Sequence, residues 1–241
     1  MDTSVKREFE KVGHRVNFIW ESSLIGFMSE PVEPAQACVI WLHGLGSNAQ
    51  DMSQVAQDLC TKAPVRHVFL NAPVRAVTIN GGMRMRAWYD IVGMTLLDRE
   101  DRDGILHSEA LINEVINKQL AHGLQHHQIY LAGFSQGGAM ALFTGLRAAK
   151  PLAGIISLSA YLPLQAECLG RGHHMQAIFI AGGIYDSVVL PAWTQASAHW
   201  LQNSGFKNIT WHEYPMEHSI CMEEMQDVMT WLDNNITGAQ V

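Results

Sequence analysis

The chain has 241 residues, 48% hydrophobic and 16% charged, with a formal net charge of -7. That length suits one α/β domain over residues 1–241 with a sizeable core. The acidic balance without a Lys/Arg cluster argues against a nucleic-acid partner, and the apolar runs are too short for stable membrane insertion.

The start, MDTSVKREFEKVGHRV, is polar and carries Asp2, Glu8 and Glu10 where a secretory signal needs an apolar stretch. Strand-like and helix-like stretches then alternate. RVNFIW and LIGFMS read as an opening hairpin, ACVIWLHG as a buried strand, and AQDMSQVAQDLCTK as a helix. VRHVFLNAP is the next strand, followed by an irregular segment from Val74 to Gly104 and a helix, SEALINEVINKQLAHGL, that Ser108 is placed to cap. QIYLAG, LAGIISLSAYL and MQAIFIAGG read as buried strands, and PAWTQASAHWLQNSG as a helix closed by Gly205. NITWHEYP is the last strand, and EEMQDVMTWLDNN sets Met225, Val228, Met229 and Leu232 on one helical face. This alternation predicts a mostly parallel sheet with helices on both faces, and functional residues just after strands. Cys38, Cys60, Cys168 and Cys221 are widely spaced without a Cys-x-x-Cys pair, so reduced, structural thiols and a cytoplasmic location are expected.

The stretch LAGFSQGGAM puts Ser135 between Gly133 and Gly137, where a buried strand turns into a helix. A sharp turn of that kind requires small neighbours, because a Cβ two residues to either side would strike adjacent backbone. Taken alone the pentapeptide also fits a glycine-rich junction with a capping serine. A serine nucleophile needs a histidine base and an acid to orient it. Among 12 histidines, His218 follows a strand in YPMEHSICMEE. Asp186 in IFIAGGIYDSVV also follows a strand and lies between the serine and the histidine, in the order Ser, Asp, His. Asp90 in AWYDIV is the rival, but it precedes the serine. Backbone N–H groups of Gln136, opening a helix, and of Leu45, in the turn His43-Gly44-Leu45-Gly46, are the expected oxyanion donors. No H-E-x-x-H or other metal-ligand set is present, and no metal or other cofactor is expected.

With these residues in view, the chain resembles the phospholipase/carboxylesterase family of α/β-hydrolases, which includes acyl-protein thioesterases and small bacterial carboxylesterases. The resemblance runs from about Val39 to Leu232 and rests on VIWLHGLGSN, FLNAPVRAVTINGGMRMRAWYDI, IYLAGFSQGGAMAL, the YD after a strand, and MEHSICMEEMQDV. It implies an α/β-hydrolase fold, a triad of Ser135, Asp186 and His218, donors at Leu45 and Gln136, and hydrolysis of carboxylic esters or thioesters without a cofactor. Departures from the family pattern stand at Ser47, where Asp is usual; at Glu217, where Gly is usual; and at Gly182, Ser187 and Leu190 in the acid loop. Glu217 is expected to set a carboxylate beside the base, and Gly182 to loosen the acid loop.

The expected substrate is a small-molecule or acylated-protein ester. Lysophospholipase activity shares the same apparatus, and a hydrolase-fold protein that only binds acylated ligands is the non-enzymatic alternative. The long segment NGGMRMRAWYDIVGMTLL supplies Met83, Met85, Trp88, Ile91, Val92, Met94, Leu96 and Leu97, with Trp88, Met94 and Leu97 the expected substrate contacts. The same residues also suit a cover for the sheet edge.

Overall fold

The structure, a computed structural model, describes residues 8–11, 14–17, 24–56, 59–93, 99–170 and 173–238. Strands β1 (Glu8–Lys11), β2 (His14–Asn17), β3 (Ile25–Pro31), β4 (Ala37–Leu42) and β5 (Val65–Leu70) open the chain, with helix α1 (Ala49–Ala56) between the last two. A hairpin of β6 (Val74–Val77) and β7 (Met83–Arg86) precedes α2 (Arg102–Ala121). Then β8 (Ile129–Phe134), α3 (Gln136–Arg147), β9 (Gly154–Leu158), β10 (Ala177–Gly183), α4 (Pro191–Asn203), β11 (Ile209–Tyr214) and α5 (Met222–Gly238) alternate.

The main sheet runs β1-β2-β3-β5-β4-β8-β9-β10-β11. From β5 to β11 every pairing is parallel, and β1, β2 and β3 add an antiparallel edge. With helices on both faces, this is the α/β-hydrolase fold. The strands are apolar on both sides because both sides are covered. In β4, Cys38, Ile40 and Leu42 join the core beneath α2 and α3, while Ala37, Val39 and Trp41 join the core beneath α1 and α5. On α5, Val228 and Leu232 are buried against the second core, with Met225 and Met229 packed beside them. Among the described residues, no helix is long and apolar enough to cross a membrane.

The chain leaves β4 for β5 on one side and returns through β8 on the other. Such a reversal opens a crevice at the carboxyl ends of the two central strands, with no crossover helix above it. The turn after β4 and the turn after β8 therefore face each other.

Three stretches differ from the sequence expectation. Helix α1 closes at Ala56, and residues 59–62 of the expected helix are not helical. The segment from Val74 is a paired hairpin at its start, and α2 begins at Arg102, six residues before Ser108. Asp101 is the cap: one oxygen accepts from Gly104 N at 3.0 Å, and the other from Asp90 N at 2.8 Å. The Ser108 hydroxyl is buried within the helix and donates to the Trp88 carbonyl. The polar first turn, Arg-Asp-Gly, hides the helix start from any reading of apolar periodicity. Of the opening hairpin, β2 pairs β3 as expected, while residues 18–20 lie outside the described set.

Candidate active site

Ser135 joins β8 to α3 with φ 54° and ψ -122°, a region that non-glycine residues seldom occupy. Its neighbours explain how the chain tolerates that geometry. A Cβ on Gly133 would strike the Gly137 backbone, and one on Gly137 would strike the Leu42 and His43 carbonyls. The serine hydroxyl is left half-buried at the strand end.

Three loops bring their side chains together at that point. The Ser135 Oγ lies 2.9 Å from His218 Nε2, and His218 Nδ1 lies 2.7 Å from Asp186 Oδ2. Asp186 is buried, and its other oxygen accepts from Val188 N at 2.8 Å and Val189 N at 2.9 Å. With the carboxylate as acceptor, Nδ1 carries the ring proton and Nε2 is free to accept from the serine. The Phe134 ring, 4.8 Å from the imidazole between centroids, packs against it. Ile184 N donates to Tyr214 O and Tyr185 N to Met216 O, so the loops after β10 and β11 are joined through their backbones.

Gly183, not Gly182, is the glycine this junction requires. A Cβ on Gly183 would collide with the Met216 and Glu217 carbonyls. Gly182 lies within β10, opposite Glu213, with room for a Cβ against Thr194, and so belongs to the strand and not to the acid loop. Glu217 is exposed beside His218. Ser47 donates to Asp51 at 2.9 Å on the surface. Asp90 serves the hairpin: its oxygens accept from Thr78 N at 2.7 Å and from the Thr78 hydroxyl.

The two candidate oxyanion donors belong to the turns that face each other. Among the described residues neither the Leu45 N–H nor the Gln136 N–H has a protein acceptor. A Cβ on Gly44 would sit 3.4 Å from the Ser135 Cβ, so the turn after β4 lies directly on the elbow. Buried groups hold this turn. His43 Nε2 accepts from Ala72 N at 3.0 Å, and its Nδ1 lies 2.7 Å from Gly44 O. Burial pushes the His43 pKa down to about 4, so the ring is neutral at neutral pH.

Trp88 is not an open wall of a groove. It is fully buried, and its indole N–H donates to His43 O at 2.9 Å. Met94, Leu96 and Leu97 lie outside the described residues, Met83 is exposed on the hairpin, and Met85 approaches the turn at Gly46. A cleft of about 630 Å³ opens at the opposite, amino end of the sheet, lined by His127, Tyr130, His174 and Gln176 among others; none of the residues above contributes to it. What the sequence reading missed is the buried support: the His43 ring, the Trp88 indole and the Gln136 side chain. Their only trace in the sequence is the position of His43 directly after a buried strand.

Residues 25–236 match the family model for phospholipase/carboxylesterase, and the chain belongs to that family of hydrolase-fold enzymes. It is 34% identical over 209 residues to acyl-protein thioesterase 1 of Yarrowia lipolytica, covering 83% of this chain and 92% of that protein. The Schizosaccharomyces pombe protein of the same name is 39% identical over 171 residues, with coverage of 70% and 76%. Among solved structures, Zea mays acyl-protein thioesterase 2 superposes with a TM-score of 0.75 at 26% identity, over 87% of this chain and 97% of that one. Arabidopsis thaliana SOBER1 gives 0.78 at 25% identity, over 83% and 99%.

Proposed function

We propose that the protein is a serine hydrolase that cleaves carboxylic esters or thioesters of acyl substrates through an acyl-enzyme. The observation that carries this reading is the continuous hydrogen-bonded chain from Ser135 through His218 to Asp186. As Ser135 Oγ attacks the acyl carbonyl, its proton passes to His218 Nε2, and Asp186 stabilises the resulting imidazolium. The carbonyl oxygen becomes an oxyanion and takes the N–H groups of Leu45 and Gln136, the latter also favoured by the dipole of α3. Collapse of the tetrahedral species breaks the ester or thioester bond, and the Nε2 proton goes to the departing alkoxide or thiolate. Water then gives its proton to Nε2 and attacks the acyl-serine. The acid leaves with Ser135 reprotonated.

Small-molecule and acylated-protein esters are the substrates proposed, in keeping with the named thioesterase relatives. The four cysteines form no disulfide, which suits work in the cytoplasm.

Replacing Ser135 with alanine should lower kcat by about 10⁴-fold or more, because the three residues act as a unit. Hydrolysis of acetyl through dodecanoyl nitrophenyl esters and of matching thioesters measures this, with fluorophosphonate labelling of Ser135 as a check. A Ser135→Ala protein retaining a tenth of the activity would overturn the reading.

A further inference from the structure

A buried relay links the elbow to the turn after β4. The Gln136 side chain grips the segment before α2 at two points: Oε1 accepts from Trp88 N at 2.8 Å, and Nε2 donates to Tyr89 O at 2.7 Å. The Trp88 indole holds the His43 carbonyl. The His43 ring in turn takes the Ala72 N–H on Nε2, which leaves its proton on Nδ1 for donation to the Gly44 carbonyl. All three side chains are buried, so each hydrogen bond is costly to lose.

The last contact, together with the Ser47 N–H that meets the same oxygen at 3.2 Å, sets a direction. A peptide unit is planar and trans, so its C=O and the following N–H point opposite ways. Holding the Gly44 oxygen against the His43 ring therefore turns the Leu45 N–H to the other side, away from the buried imidazole. Burial keeps that ring neutral near pH 7, which preserves the one tautomer that satisfies both contacts.

We propose that Trp88 and the Gln136 side chain are positioning residues that act through His43 to aim the Leu45 N–H at the oxyanion. This rests on the serine-hydrolase reading and extends it. Gln136 then has two separate tasks: its backbone donates to the oxyanion, and its side chain orients the second donor across the crevice. Because an oxyanion donor serves the transition state more than the bound substrate, misaiming it lowers kcat and leaves KM in place.

The test compares wild type, Trp88→Phe, Gln136→Met, His43→Asn, His43→Leu and Ser135→Ala, each normalised by active-site titration with a fluorophosphonate wherever Ser135 is present. Normalisation removes any misfolded fraction from the rates. The expected result for Trp88→Phe and Gln136→Met is a fall in kcat of about tenfold, with KM within about twofold of wild type. Affinity for a trifluoromethyl ketone, whose adduct with the serine carries the oxyanion, should weaken by the same factor. His43→Asn, which keeps a donor near the Nδ1 position, should retain more activity than His43→Leu. If Trp88→Phe and Gln136→Met keep wild-type kcat and inhibitor affinity per active site while Ser135→Ala is inactive, the relay is structural and the proposal falls alone. Activity in Ser135→Ala would instead remove the reading beneath it.

Discussion

Two carboxyl groups are buried on either side of the His218 loop, and the fold treats them in opposite ways. Asp186, after β10, meets three donors: two backbone amides and the imidazole. Glu224, in the first turn of α5, is fully buried, and among the described residues neither of its oxygens meets a partner at hydrogen-bond geometry. Burial pushes its pKa up to about 8, offset only in part by the Cys221 backbone amide. Burial by itself disfavours a charge, and donors aimed at the charged form reverse that. Equal concealment thus gives an orienting group in one place and a neutral filler in the other.

The largest expected effect comes from breaking the donor-rich side. Asp186→Asn should lower kcat by about 10⁴-fold, because an amide cannot hold the same histidine tautomer and stabilise its cation. Asp90→Asn should instead act through the Thr78 contacts and reduce thermal stability at nearly unchanged kcat. Steady-state kinetics and melting curves of the two variants separate these roles; a deader Asp90→Asn enzyme would reverse the assignment.

The donor-poor side should show itself in stability. Glu224 has a folded-state pKa raised from 4.5 to about 8, so the unfolded chain releases this proton first as pH rises. Its contribution is fully present below pH 4.5 and is lost as pH climbs through about 8, at up to about 1.4 kcal/mol per pH unit. Glu224→Gln removes the titrating group. Urea unfolding of both proteins should show the variant gaining on wild type between those limits, and a constant difference would contradict a neutral buried acid.

The smallest effect tests a third carboxyl, that of Glu217, which adjoins His218 in sequence but is exposed. Solvent screens such a charge. Glu217→Gly should leave kcat/KM within about twofold of wild type, and a larger loss would show that exposure does not silence it.

Much of this arrangement is legible in the chain because it depends on local geometry. An elbow needs glycines at fixed offsets from its serine, and a parallel sheet covered on both faces needs nearly unbroken apolar strands. LAGFSQGGAM and ACVIWLHG therefore announce themselves, and with them the crevice at the strand ends. The start of α2 does not, since its first turn is polar and its cap, Asp101, is identified by the Gly104 and Asp90 amides that it meets. Trp88 shows the same limit. An aromatic residue in a long methionine-rich segment reads as a groove wall, and nothing in the order of residues says that its indole meets a carbonyl 45 positions away.

The sequence by itself determined the β-α alternation, the elbow at Ser135 and the order Ser, Asp, His, because each follows from steric rules within a few residues or from the order of strands. Tertiary structure alone decided which glycine admits the histidine loop, which buried acid is furnished with donors, and which side chains hold the turn that carries Leu45. Those outcomes depend on where groups from distant elements meet in a close-packed interior, and a shift of about 1 Å there separates a hydrogen bond from a collision.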